Sequence, residues 1–192
     1  MKNIFVVLIA VVLLASNVQG QKTSETFGVK DNIIAAGFGV GGVYGFNDYS
    51  SQTPVFGAYY ERAVYEFGFG GVIGAGGYMG YKGYVSKYDY LYEDWKVRSA
   101  IFILGARGTF HYDLFKVDKL DTYGAVMITY NIVNQSDNIP DAYDHNYDYN
   151  HGNAAYASLH GGARYYFSDQ FAAYAELGYG VYWFGTGVSI KF

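Results

Sequence analysis

Cysteine is absent, proline occurs only twice, and charged residues make up just 16% of the 192-residue chain. Without cysteine there are no disulfide frameworks, no thiol nucleophiles and no cysteine zinc sites. Scarce proline leaves long segments free to pair in sheets. The net charge of −4 provides no basic surplus for a phosphate backbone, which excludes nucleic acid as a partner. Beyond the amino terminus no segment offers eighteen uninterrupted apolar residues, so no helix is expected to anchor the chain in a membrane.

What is abundant points the other way. Glycine numbers 26, tyrosine 23 and phenylalanine 14. Hydrophobic residues reach 51%, yet mean hydropathy is +0.00, so apolar and polar residues are interleaved rather than blocked. Strand-forming aromatics with glycine between them predict an all-β chain. The length suits one domain.

The clearest pattern lies near the carboxyl end. Phe171, Ala173, Ala175, Leu177, Tyr179, Val181 and Trp183 share one face of a period-two segment. Ala172, Tyr174, Glu176, Gly178, Gly180 and Tyr182 share the other. Gly185-Thr186-Gly187 reads as a turn, and Val188 to Phe192 alternates again. One face is apolar with aromatics toward its ends, while the small, glycine-rich face carries Glu176 and Lys191. A soluble sandwich would turn the charges outward. Lipid outside and a narrow polar interior produce this order.

The amino terminus reads as an export signal, with Lys2, an apolar core from Ile4 to Ala15, and small residues near Gly20. Cleavage after Gly20 would divide the chain into a signal peptide, residues 1–20, and a barrel domain, residues 21–192. No cysteine follows to make a lipoprotein signal. A chain that crosses lipid without an apolar helix has to close its sheet into a barrel.

The remaining strands follow in order. The first is expected over Asn32–Tyr44, with Ile34, Ala36, Phe38 and Val40 outward. Its Gly37-Phe38-Gly39-Val40-Gly41-Gly42 matches the dinucleotide fingerprint formally, but no helix pattern follows. The glycines read instead as a small inward face beneath crowded aromatics. The second strand, Pro54–Val64, carries Glu61 inward, with a short reversal at Tyr65-Glu66. The third covers Phe67–Tyr81, followed by a tyrosine-rich loop, Lys82–Asp94. The fourth, Lys96–Tyr112, turns Arg107 inward together with Ile101 and Ile103. The connection Asp113–Asp121 is long enough for a helical turn. The fifth strand, Thr122–Val133, precedes an irregular Asp/Asn/Tyr-rich stretch, Asn134–Asn153. The sixth, Ala154–Phe167, turns Ser158, His160, Gly162 and Arg164 inward, and Ser168-Asp169-Gln170 reverses tightly into the last hairpin. The expectation is a single antiparallel up-and-down transmembrane barrel of about eight strands, a size that side chains can fill. Long loops at one end and tight turns with the termini at the other match outer-membrane barrels.

Gly162 to Asp169, followed by Tyr174 to Gly180, resembles the penultimate hairpin of small bacterial outer-membrane β-barrel proteins. These are the OmpA-like and OmpW-like barrels, in a style common in the Bacteroidetes. Val188-Ser189-Ile190-Lys191-Phe192 resembles the carboxyl-terminal signal that the barrel-assembly machinery reads in such families. The resemblance implies export to the cell outer membrane, outer-membrane lipid as surroundings, and Phe192 as the assembly signal. It spans the mature chain in pattern and is sharpest over its last thirty or so residues. No peptidoglycan-binding domain follows the barrel pattern, so a tethering role is not implied.

The inward charges are Glu61, Arg107, Arg164, Glu176 and Lys191, expected to pair within the lumen. The predicted partnership is Arg164 with Glu176, flanked by Tyr174 and Lys191. Asp137, Asp141, Asp144, His145, Asp148 and His151 could supply oxygen and nitrogen ligands, but they lack the EF-hand order, and no metal or cofactor is assigned. His111 and His160 read as hydrogen-bonded inward fillers. Ser99, His145 and His151 show no spacing that joins a nucleophile to a base, so the chain is not read as an enzyme. Three functions stay open: a structural or surface-interaction barrel with a filled lumen, a narrow porin or transporter for small or hydrophobic solutes, and a soluble lipocalin-like binder. The charges on the glycine face disfavour the last. The pattern names no external ligand.

Overall fold

A computed structural model describes residues 26–42, 50–90, 93–138 and 153–192, with backbone alone at 88–90 and 93–95. The strands are β1 (Asn32–Val40), β2 (Ser51–Gln52), β3 (Val55–Glu66), β4 (Val72–Tyr90), β5 (Glu93–His111), β6 (Leu120–Asp137), β7 (Ala154–Tyr166), β8 (Phe171–Tyr179) and β9 (Phe184–Lys191). Each strand of the ring pairs antiparallel with its neighbours in the order β4-β3-β1-β9-β8-β7-β6-β5, and β4 pairs with β5 to close it. The two-residue β2 only lines the outer end of β4. The result is a closed eight-stranded antiparallel barrel.

Its stagger can be followed along one row of paired residues. The row runs Gly39, Gly185, Glu176, Gly162, Tyr123, His111, Val72 and Glu66. It starts at the loop end of β1 and finishes beyond the level of Asn32, which faces Arg62. That offset, on the order of ten residues, goes with strands tilted about 40° to the barrel axis. The same row carries Glu176, Tyr123 and His111 on the inner face.

Burial is inverted relative to a soluble domain. Ile34, Phe38, Phe102, Leu104, Ile128, Leu159, Leu177 and Val188 all point outward and are exposed, with Ile128 at 70% and Leu177 at 66%. Ile33, Tyr59, Tyr78, Ile101, Ile103, Met127 and Tyr174 fill the inside. Aromatics gather at both ends of the outward band. Phe38, Phe56, Tyr81 and Phe102 lie on one paired row toward the loop end. At the other end Tyr65, Phe67, Phe69, Phe110 and Tyr112 form a chain of ring contacts, with centroids 4.9–6.2 Å apart.

Apart from strand ends that shift by a few residues, as where β6 runs Leu120–Asp137 against the expected Thr122–Val133, four places differ from the sequence reading. The expected loop Lys82–Asp94 is instead the end of a long hairpin, paired without a break to Tyr90 opposite Glu93. Its tyrosines favour strand, and its polar residues suit a ribbon with water on both faces, so composition alone suggested a loop. The last turn falls at Gly180–Trp183 rather than Gly185–Gly187, because Gly180 takes φ +123. Gly178 N–H then donates to Trp183 O at 2.9 Å, and Val181, expected outward, is fully buried. The reversal after β3 is Phe67–Gly71, with Gly70 at φ +87, and a register shift between Ala63 and Tyr65 absorbs the extra residue. The connection from Tyr112 to Lys119 holds turns and bends with no helix. Tyr44 and the stretch 139–152 lie outside the described residues.

Gly37 and Gly39 in the fingerprint-like segment have a packing explanation. A Cβ on Gly39 would sit 2.6 Å from the Tyr182 ring, and one on Gly37 would sit 2.6 Å from the Tyr174 hydroxyl. These glycines make room for lumen tyrosines.

Candidate functional site: the charge network in the lumen

Alternation on four strands brings four of the five expected lumen charges inside. Glu61 on β3, Arg164 on β7 and Glu176 on β8 have no solvent exposure, and Arg107 on β5 is 2% exposed. Lys191 stands apart at the terminal end. Its Nζ donates to Thr26 O at 3.2 Å and lies 3.7 Å from Asp31.

Two clusters result. In the first, Arg107 donates to Glu176 Oε1 at 2.7 Å. Tyr123 donates to the same oxygen at 2.7 Å, and Tyr182 donates to Oε2 at 2.6 Å. In the second, Arg164 donates to Asp121 Oδ2 at 2.8 Å, to Glu61 Oε2 at 3.3 Å and to the Tyr59 hydroxyl at 3.3 Å. Thr109 donates to Glu61 Oε1 at 2.5 Å. His111 bridges the two carboxylates, with Nδ1 at 2.8 Å from Asp121 and Nε2 at 2.5 Å from Glu61. An N–H at each ring nitrogen satisfies both oxygens, which is the imidazolium pattern. With His111 doubly protonated, three carboxylates face two guanidiniums and one imidazolium, and the charges balance.

Tyrosine rings join the clusters. The Arg107 guanidinium lies 4.3 Å from the Tyr59 ring centre, and that of Arg164 lies 4.9 Å from the Tyr123 ring centre. Arg107 Nε and Arg164 Nε have no hydrogen-bond partner. Their planar faces are covered by the rings instead, a contact that strengthens once water is excluded.

The expected Arg164–Glu176 pair does not form. Arg164 faces Tyr174 across the β7–β8 hairpin, while Glu176 faces Gly162. Asp121 lies directly opposite Arg164 on β6 and takes it. Glu176 therefore reaches across the lumen to Arg107, whose strand is three places further round the ring. Tyr174, the next inward residue on β8, packs on the Tyr59 ring that covers Arg107, whereas Lys191 stays at the terminal end.

No family model matches the chain, and no curated protein matches it. Among solved structures it is similar to the N-terminal β-barrel domain of Pseudomonas aeruginosa OprF. The two share 14% identity over 86% of this chain and 99% of that one, with a TM-score of 0.48. The barrel itself is fixed by its own closed ladder.

Sequence reasoning missed Asp121, Thr109 and Tyr123 as members of the network, whereas the inward placement of Tyr59 and Tyr182 and hydrogen bonds between inward tyrosines and the lumen charges agree with the alternation. Thr109 and His111 continue the inward parity of Arg107 at steps of two, so they were legible in the pattern. Asp121 was assigned to a connection because its strand was expected to start at Thr122. Of the residues weighed for catalysis, Ser99 accepts a hydrogen bond from Gln135 Nε2 at 3.2 Å. His145 and His151 fall outside the described residues, as do Asp141, Asp144 and Asp148, while Asp137 ends β6. His160 Nε2 lies 3.1 Å from Tyr182 O, a structural contact at the last turn.

Phe192 closes the ring. Its N–H donates to Asn32 O and its carbonyl accepts from Asn32 N–H, both at 2.9 Å, while the residue is 60% exposed.

Proposed function

We propose that the chain is an integral outer-membrane β-barrel with a closed lumen, whose role is structural and surface-interacting rather than enzymatic. One observation supports this above the rest. Charged Glu61, Arg164 and Glu176 are wholly enclosed, while Leu159, Leu177 and Ile128 stand 63–70% exposed on the outside. Water would not stabilise that arrangement, whereas hydrocarbon outside a filled interior does. The span from Phe110 to Phe102 on β5, between the two aromatic ends, is about 20 Å along the axis, close to the height of an outer-membrane apolar band.

The lumen network supports a plug rather than a path. Its charges are paired with one another and capped by tyrosines, which leaves no free field to attract a solute. Export by cleavage after Gly20 and recognition of Phe192 by the assembly machinery belong to the same reading. External loops at the end opposite the termini would meet the cell's surroundings.

Two measurements test it. Refolded protein in lipid vesicles should run faster on a gel before boiling than after, as a compact barrel does. The same preparation in planar bilayers should give no discrete conductance steps. Steps of a reproducible size would favour the narrow-pore alternative.

A further inference from the structure

The outward face changes character just above the aromatic row that contains Tyr81 and Phe102. On β4 and β5 the next outward positions are Gly83 opposite Ala100, then Val85 opposite Arg98, then Lys87 opposite Lys96. Two lysines directly opposite each other on a ladder repel at a cross-strand spacing of about 5 Å. None of Lys87, Lys96 and Arg98 forms an ion pair with a carboxylate of the described residues. The backbone beneath them is firmly held: Lys87 N–H donates to Ser50 Oγ at 2.9 Å, and Lys96 N–H donates to Asn138 Oδ1 at 2.7 Å.

Beside Arg98 lies a groove of about 480 Å³, lined by Ser51, Thr53, Tyr81, Asn134 and Ser136 among others. It offers hydroxyl and amide donors next to a guanidinium, with an aromatic ring at its lower edge. Arg98 is four residues beyond Phe102, about 10 Å higher along the axis. In a membrane-embedded barrel this is the depth of the headgroups, immediately outside the hydrocarbon.

We propose that Arg98, Lys96 and Lys87, with the Asn134 and Ser136 edge of the groove, bind the phosphate of a phosphorylated lipid headgroup in the outer leaflet. The inference rests on the membrane reading above. Charge complementarity selects an anion, and Arg98 can present a two-pronged donor to phosphate oxygens. The direction of approach selects a lipid over a free ion. On the membrane side Tyr81 and Phe102, with ring centres 5.4 Å apart, offer a surface for the acyl chains. A lipid enters the basic band from below with both parts matched, whereas a free phosphate has only the charge.

The test uses the refolded chain in zwitterionic vesicles doped with a bis-phosphorylated glycolipid or with its dephosphorylated form. Lipid retained through detergent extraction and purification is counted by mass spectrometry. Wild type should retain the phosphorylated form in excess by at least about tenfold, with the excess falling as salt rises. The triple variant Lys87→Gln, Lys96→Gln, Arg98→Gln should bring the ratio to about one, with unchanged heat-modifiable mobility. Inorganic phosphate at matched concentration should not displace the glycolipid. Equal retention of the two lipids by wild type, an undiminished ratio in the variant, or full displacement by inorganic phosphate would overturn the proposal. Gel mobility reads insertion separately. A wild-type chain that never enters vesicles fails at the membrane reading, and this proposal falls with it, whereas an inserted chain without lipid preference fails here alone.

Discussion

Arg107 and Glu176 meet at 2.7 Å across the lumen, although β6 and β7 stand between their strands on the ring. Only a narrow barrel allows that reach. The contact fixes the distance between opposite walls, and two tyrosine hydroxyls complete the carboxylate's hydrogen bonds. A buried pair of this kind contributes little net stability by itself, because both ions leave water to form it. Removing one partner leaves the other buried without compensation.

That asymmetry gives the first prediction. Glu176→Ala should lower unfolding stability in vesicles by about 3–5 kcal/mol. Adding Arg107→Met should recover part of the loss, with a coupling of about 1–3 kcal/mol in the double-mutant cycle. The same cycle with Arg164→Met should give a smaller coupling, because Arg164 contacts Asp121 and Glu61 instead. Urea titrations followed by tryptophan fluorescence would measure all three. Equal couplings would contradict the pairing described.

On the outer face, Leu177→Arg should cost about 2–4 kcal/mol if that position meets mid-bilayer hydrocarbon. Tyr112→Arg, at the terminal-end aromatic girdle, should cost no more than about 1 kcal/mol. Vesicle unfolding of the two variants side by side gives the depth dependence. Similar costs at both positions would argue against a lipid-facing band.

The last turn makes a local prediction. Gly180 holds φ +123, and a Cβ there would lie 2.3 Å from Ser158 Oγ. Gly180→Ala should therefore destabilise the barrel by about 1–3 kcal/mol. Gly187→Ala is a poor control, since its Cβ would meet Ala36 O, but Gly124→Ala points into open space and should be nearly neutral. Thermal mobility shifts on gels would rank the variants.

How much of this could be read from sequence depended on the face of each residue. Alternation placed Phe38 and Leu177 outward, and it placed Glu61, Arg107, Arg164 and Glu176 inward, because period two carries face directly. It could not say who pairs with whom. Arg164 and Glu176 are hairpin neighbours by sequence, but the stagger that sets Asp121 opposite Arg164 is a property of the closed ring. The turn at Gly180 was hidden for a different reason. Val181 and Trp183 continue the apolar parity of β8, and only the positive φ of Gly180 turns Val181 inward. The long β4–β5 hairpin was read as a loop because both of its faces are polar.

Phe192 bears on assembly. Deleting it removes both hydrogen bonds that join the carboxyl end to Asn32, as well as the terminal aromatic proposed as the assembly signal. Cells expressing the truncated chain should show it in the periplasm and sensitive to protease, with little in the outer membrane. Wild-type outer-membrane levels would contradict that role.

The central claim, that the apolar outer wall meets lipid, is tested most directly at Trp183. The chain has only two tryptophans, and Trp183 is 56% exposed in the turn at the loop end, directly before the exposed, outward Phe184. With Trp95→Phe, Trp183 becomes the lone emitter in refolded protein. Vesicles of lipid brominated along the acyl chain should quench it strongly, while aqueous iodide should leave it nearly unchanged. Strong quenching by iodide with none from brominated lipid would contradict the account.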